Sequence, residues 1–156
     1  MASQSKYIED YRQMEYSDFR YFFEMPTRWG DADALGHINN ALFARYYESA
    51  RLGYFSSLMD LEFSPKMTSS VILADLKIAY LKQLHYPSDL MVGCRVSRLG
   101  NSSLDFDSAV FLKESNELIS TSRAILVWFD YVANTNKPVP DESRSKIIDY
   151  EKIPPA

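Results

Sequence analysis

A chain of 156 residues, 46% apolar and 24% charged, fits one globular domain able to bury roughly two thirds of its unfolded surface. Seventeen Lys and Arg against 21 Asp and Glu leave a net charge of −4 with no basic run, which argues against nucleic acid as a main partner. A single cysteine, Cys94, excludes an intrachain disulfide, residues 1–14 lack a leader pattern, and no apolar run nears the ~18 residues of a bilayer span, so a cytoplasmic protein with no membrane span is expected.

The elements read as one strand, one long helix, then four strands. The first strand is expected over residues 19–29, with Phe19, Tyr21, Phe23 and Met25 on one face and Pro26, which lacks an amide donor, marking an edge or a bend. A helix follows over residues 41–59, where Phe43, Tyr47, Ala50, Tyr54 and Leu58 recur at helical spacing, Leu42 and Tyr46 widen the stripe, and Arg45, Glu48 and Arg51 lie to one side. From residue 70 the period is two. Ile72, Ala74, Leu76, Ile78 and Tyr80 alternate with Asp75 and Lys77, and Leu90, Val92, Cys94 and Val96 alternate with Arg95 and Ser97. Gly100-Asn101 is a turn signal; Leu104, Phe106, Val110 and Leu112 then alternate with Asp105, Asp107 and Lys113. Residues 118–131 are apolar on both faces, as in a central or interface strand, and Asn134 to Pro140 breaks the strand pattern. Residues 141–150 read as a short helix with Asp141 as N-cap. A helix apolar around most of its girth needs a sheet that curls over it, so the class is α+β with a mostly antiparallel sheet.

Between the first strand and the helix runs Arg28-Trp29-Gly30-Asp31-Ala32-Asp33-Ala34-Leu35-Gly36-His37-Ile38-Asn39-Asn40. Two acids sit in a loop that feeds a helix N-terminus, where unpaired N–H groups and the macrodipole favour negative charge. Asp and Asn in such a loop also serve as turn and capping residues, which is the expected role of Asp31 and the first role of Asn39 and Asn40. Gly36 suits a backbone conformation closed to other residues. His37 is read as a contact to water or substrate, or as a hydrogen-bonded loop residue.

The motif Arg28-Trp29-Gly30-Asp31-x-Asp33-x-x-Gly36-His37-x-Asn39-Asn40, followed by Tyr46-Tyr47-Glu48-x-Ala50-Arg51, resembles the 4-hydroxybenzoyl-CoA thioesterase-like branch of the hotdog-fold thioesterases. Ala79-Tyr80-Leu81, Pro87-x-Asp89-Leu90, Gly100-Asn101-Ser102-Ser103 and Lys137-Pro138-Val139-Pro140 agree in order and spacing. The resemblance covers residues 19–140 of a single domain spanning residues 1–156. It implies a hotdog fold, a curved antiparallel sheet wrapped on one central helix, paired as a homodimer or homotetramer with active sites between subunits. It implies hydrolysis of an acyl-CoA, or of an acyl carrier protein thioester, with Asp33 as the catalytic carboxylate and the backbone N–H of Asn40 as the oxyanion donor. No cofactor and no metal are implied.

The chemistry stands beside the resemblance. A thioester carbonyl is electrophilic enough for a carboxylate to attack it or to activate a water against it, so no serine is required. Gly36, His37 and Asn39 are the expected substrate contacts in the loop. Arg98, Ser102 and Ser103, at a turn rich in amides and hydroxyls, are the expected contacts to phosphate, against solvated surface charge as the plain alternative. Lys82, Arg95 and Arg123 are further cations. Glu48, flanked by Arg45 and Arg51, reads as an ion-pair partner rather than a free base. An EF-hand reading of Asp31-x-Asp33 fails because Leu35 and Leu42 stand where oxygen ligands are needed, and His37, His85 and Cys94 form no zinc pattern. Cys94 is expected to be buried filler. A hotdog hydratase or dehydratase using His37, and a non-catalytic binder of acyl-CoA or acyl carrier protein, remain the alternatives to hydrolysis.

Overall fold

The computed structural model describes residues 7–156; the first six residues of the stretch read for a leader lie outside the described residues. The elements run β1 (Tyr21–Pro26), α1 (Leu42–Met59), β2 (Ser69–Tyr80), β3 (Asp89–Leu99), β4 (Ser103–Leu112), β5 (Leu118–Asp130), β6 (Thr135–Asn136) and α2 (Asp141–Tyr150). One antiparallel sheet, ordered β1-β3-β4-β5-β2 with β6 beside β5, curls around α1. This is the α+β hotdog architecture expected from the sequence.

The core follows from the two periodicities. Phe43, Tyr46, Tyr47, Ala50, Tyr54 and Phe55 of α1 are buried against Leu90, Val92, Cys94 and Val96 of β3 and Leu104, Phe106 and Val110 of β4. Burying Cys94 fully pushes its thiol up to about 12, which makes it inert filler. Leu58 is only half-buried, and Met59 takes the last core position of the helix.

Several expectations are corrected. The first strand starts at Tyr21, and Phe19 belongs to the opposite face, packed on Phe111 and Ala109, because it closes a 3-10 turn over Tyr16–Asp18 before the strand begins. Pro26 ends β1, which is an edge strand, and Trp29 sits in a second 3-10 turn over Trp29–Asp31. In β2 a bulge leaves Ala74 without a register partner. The parity flips there, so Val71 joins Leu76 and Ile78 on the core side in place of Ile72. Pro140 occupies the N-cap position of α2, with Asp141 the first helical residue, and Ile147 anchors that helix in the core.

The outer face of the sheet carries charge. Arg95, Asp107 and Arg123 are cross-strand neighbours on β3, β4 and β5, and Arg123 grips Asp107 with two hydrogen bonds of 2.7 and 2.9 Å. Residues 7–19 cover them. The Tyr7 hydroxyl donates to Asp105 at 3.0 Å, Arg123 donates to the Ile8 carbonyl at 2.7 Å, and Ile8, Met14 and Phe19 pack on Ala109 and Phe111.

Candidate active site

The loop after β1 is built by its own polar residues. Asp31 Oδ2 accepts the Arg28 N–H at 3.0 Å and the Tyr46 hydroxyl at 2.6 Å, while its carbonyl accepts the Asn39 N–H at 3.1 Å. Burial first, and then this bond, raise the Tyr46 hydroxyl well above its ordinary range. Asp33 Oδ1 accepts the N–H groups of Leu35 at 2.9 Å and His37 at 3.0 Å. That Asx turn is completed by Gly36, whose φ of +79° lies in the left-handed region glycine adopts freely. Asp33 Oδ2 has no partner among the described residues.

The loop is laid against the segment after β2. The Ile38 N–H donates to the Leu84 carbonyl at 2.8 Å, the Tyr86 N–H to the Gly36 carbonyl at 3.1 Å, and the His37 and His85 rings meet edge to face at 4.6 Å. At the start of α1, Asn39 Oδ1 accepts the Ala41 N–H at 2.9 Å across two residues, an Asx turn; the N-cap position itself falls on Ala41, with no side-chain cap bond, and not on Asn39 or Asn40 as expected. The Asn40 N–H donates to no group among the described residues, which leaves it available to a ligand.

These groups share one cleft of about 590 Å³, lined by Asp33, His37, Asn39, Asn40, Phe43 and Tyr80, with Leu81 to Leu84 as its far wall. Asp33 is exposed to it. A residue whose carboxylate has one oxygen without a hydrogen bond among the described residues thus lines the same cleft as the start of α1, an arrangement suited to a polar carbonyl carbon with charge developing on its oxygen.

Of the expected residues, Asp33, His37, Asn39 and Asn40 converge on the cleft, and Gly36 shapes the turn beside it. Arg98, Ser102 and Ser103 do not line it. Arg98 Nε and Nη2 both reach Asp105 Oδ1, at 3.0 and 2.8 Å, and Nη2 lies 3.4 Å from Ser103 Oγ. The Gly100-Asn101 turn is pinned by Arg144, whose Nη2 donates to both carbonyls. Among the described residues, Lys82 is the one Lys or Arg that lines the cleft, paired with Glu117 at 2.7 Å. Glu48 lies in a separate groove of about 260 Å³ beside Arg45 and Arg51. Desolvation lowers the Arg51 guanidinium below its ordinary value, and the Glu48 charge opposes that. Among the described residues no three His, Cys, Asp or Glu side chains converge as a metal site. Sequence reasoning missed the wall of Tyr80 and Phe43, because facing across two elements leaves no local signal.

Comparisons with known proteins bear on the family and the fold. Residues 27–147 match the thioesterase-like superfamily. The chain is 25% identical over 130 residues to the chloroplastic acyl-acyl carrier protein thioesterase ATL3 of Arabidopsis thaliana, covering 81% of this chain and 67% of that protein. It spans about two thirds of the length of the curated relatives it matches. Among solved structures, the PA2801 protein of Pseudomonas aeruginosa is 33% identical with a TM-score of 0.72, covering 81% of this chain and 96% of that one. A thioesterase of Thermus thermophilus complexed with coenzyme A and Zn is 28% identical with a TM-score of 0.75, covering 88% and 98%. The chain therefore belongs to the thioesterase-like superfamily of thioester hydrolases.

Proposed function

We propose that the protein hydrolyses an acyl thioester, carried on coenzyme A or on an acyl carrier protein, to the carboxylic acid and the free thiol, with Asp33 as the catalytic carboxylate. The observation that carries this reading is the free Oδ2 of Asp33 and the unengaged N–H of Asn40 on one cleft. In the general-base route, Oδ2 takes a proton from water while the water oxygen adds to the carbonyl carbon. The oxyanion is held by the Asn40 N–H, and its collapse expels the thiolate, which takes up the proton. In the nucleophilic route, Oδ2 itself adds, the thiolate leaves, and water hydrolyses the mixed anhydride. Label found in Asp33 after a single turnover in ¹⁸O-water identifies the nucleophilic route, since an anhydride opened at the Asp33 carbon leaves label in the protein, and hydroxylamine trapping of the acyl-enzyme covers opening at the acyl carbon.

Gly36, His37 and Asn39 are proposed to shape the substrate side of the loop, and Lys82 to meet an anionic group at the mouth. The family relation and the likeness to a coenzyme A complex support the substrate class. We also propose that two copies join along β2. This twelve-residue edge strand has no neighbour on its outer side among the described residues and exposes Leu73, which is an invitation to pairing. Antiparallel pairing about Leu76 would set Asp75 of each copy against Lys77 of the other, a self-complementary ladder.

Thiol release from short, medium, long and aryl acyl-CoAs and from an acyl carrier protein thioester, with wild type beside Asp33→Asn, tests the reading. Turnover by wild type alone supports it. Thermal stabilisation by acyl-CoA without thiol release would favour a binding protein, and hydration of enoyl thioesters lost in His37→Ala would favour a hydratase.

A further inference from the structure

Tyr80 is the last residue of β2 and nearly half of its surface is exposed, yet its side chain is held. Its hydroxyl donates to the Asn40 carbonyl at 3.0 Å, and its ring stands edge to face on Phe43 at 5.3 Å with an interplanar angle of 89°. The other bonds at the helix start are short in sequence: Asn39 N–H to the Asp31 carbonyl, Ala41 N–H to Asn39 Oδ1, Leu42 N–H to the Asn39 carbonyl, and Phe43 N–H to the Asn40 carbonyl. They fix the shape of the turn. They do not tie the turn to a strand, and the nearest longer bond, from the Ile38 N–H to the Leu84 carbonyl, ends on the segment after β2 and stops two residues short of Asn40.

The Asn40–Ala41 peptide is gripped at both ends, its N–H by Asn39 and its carbonyl by Phe43 and by Tyr80. Of these partners Tyr80 is the one from the sheet, forty residues away in sequence. Its anchorage is firm, because β2 pairs with β5 at Tyr80↔Ser120, and Ser120 Oγ bonds both the Ala79 carbonyl, at 2.8 Å, and the buried Tyr47 hydroxyl, at 2.7 Å. A chain of bonds therefore runs from the core of α1, through Ser120 and the end of β2, back to the amino end of the same helix.

We propose that Tyr80 is a positioning residue that aims the Asn40 N–H at the thioester oxygen by clamping the following peptide to the sheet. This rests on the hydrolase reading of the cleft. An oxyanion donor acts through preorganisation, and its full removal costs about a hundredfold to a thousandfold in rate. Releasing its tether loosens the aim without deleting the donor, so a smaller loss follows, with ground-state binding unchanged.

Tyr80→Phe keeps the ring, the Phe43 contact and the cleft wall and removes only the O–H. Thiol release should fall about tenfold in kcat, with KM nearly constant and the same factor for short, long and aryl acyl groups. Amide resonances of Asn40 and Ala41 should shift while the melting temperature stays within about 2 °C. An unchanged kcat overturns the proposal, as does a loss confined to one acyl class with a raised KM, which would make Tyr80 a wall for the acyl group. Unmoved amides at Asn40 and Ala41 overturn the tether itself, whatever the rates. A wild type that releases no thiol from any thioester fails the hydrolase reading and takes the catalytic assignment with it, while the amide shifts still report whether the tether exists.

Discussion

The Tyr46 hydroxyl donates to Asp31 Oδ2 at 2.6 Å, and this bond divides the labour between the two acids of the loop. Asp31, bonded from both sides, holds the loop to α1. Asp33, two residues on, spends Oδ1 on its own turn, leaves Oδ2 without a hydrogen bond among the described residues, and lines the cleft.

Asp33→Asn is therefore a clean probe. The Asn side-chain oxygen still accepts the Leu35 and His37 N–H groups, so the turn survives, while Oδ2 becomes an amide that neither takes a proton nor attacks a carbonyl. Turnover should drop by about a thousandfold or more with the melting temperature nearly unchanged. Asp33→Ala should lose the turn bonds as well and cost about 1 kcal/mol in denaturant titration. An Asp33→Asn protein that retained full rate would remove Asp33 from the chemistry.

Asp31→Asn should behave in the opposite way. It weakens a charge-assisted bond to a buried tyrosine and one to a backbone amide, worth about 1–2 kcal/mol together, while leaving the groups on the cleft in place. Tyr46→Phe should cost about 1 kcal/mol. The double variant should lose less than the sum, which a double-mutant cycle reads directly. Strict additivity would mean that the two side chains do not support each other.

How far the sequence reveals this arrangement depends on the range of the interaction. The core stripe of α1 and the inner faces of β3 and β4 were legible because burial on one face imposes a period that short windows show. That the loop would be built by its own acids was legible, but the turn role was expected of Asp31, whereas it is Asp33 Oδ1 that closes the short turn to Leu35 and His37. The bulge at Ala74 was not legible, because an inserted residue shifts the facing of β2 without altering its composition. Arg95 and Arg123 could be counted but not placed. Their burial depends on the strands meeting in register at Asp107 and on residues 7–19 crossing over them. Arg98 looked available by position alone, and only the cross-strand Asp105 shows it engaged.

Gly53 shows why one helical glycine is needed in α1. A Cβ at that position would lie 2.6 Å from the Tyr21 hydroxyl oxygen and 2.7 Å from a ring carbon of Phe23, so β1 packs directly on the helix backbone. Gly→Ala in a helix interior ordinarily gains about 1 kcal/mol, whereas forcing two packed aromatics aside costs about 1–3 kcal/mol. The clash should win. Gly53→Ala is expected to lower the urea midpoint, and Gly53→Ala with Phe23→Leu should recover part of the loss. A stabilised single variant would show that β1 yields without cost.

Glu151 is expected to make stability depend on pH. Its carboxylate accepts the Tyr54 hydroxyl and, at 2.9 Å, the Val96 N–H, in a buried site at the end of α2. Burial pushes the carboxyl up from 4.5 to about 7, against the pull of those two hydrogen bonds and of the Arg95 and Arg20 charges. Tyr54 and Tyr150, themselves raised by burial, and the neutral Cys94 thiol complete its surroundings. Because the folded value lies above the unfolded one, the folded state holds the extra proton. The contribution is fully present below about pH 4.5 and is lost as pH rises through about 7, an effect on the order of 3 kcal/mol. Glu151→Gln keeps an oxygen acceptor for Tyr54 and Val96 and never ionises. Urea titrations between about pH 5 and pH 8.5 should find the variant close to wild type at the acid end and more stable at the alkaline end. A wild-type-to-variant difference that stays constant across that range would mean that Glu151 does not titrate there in the folded protein.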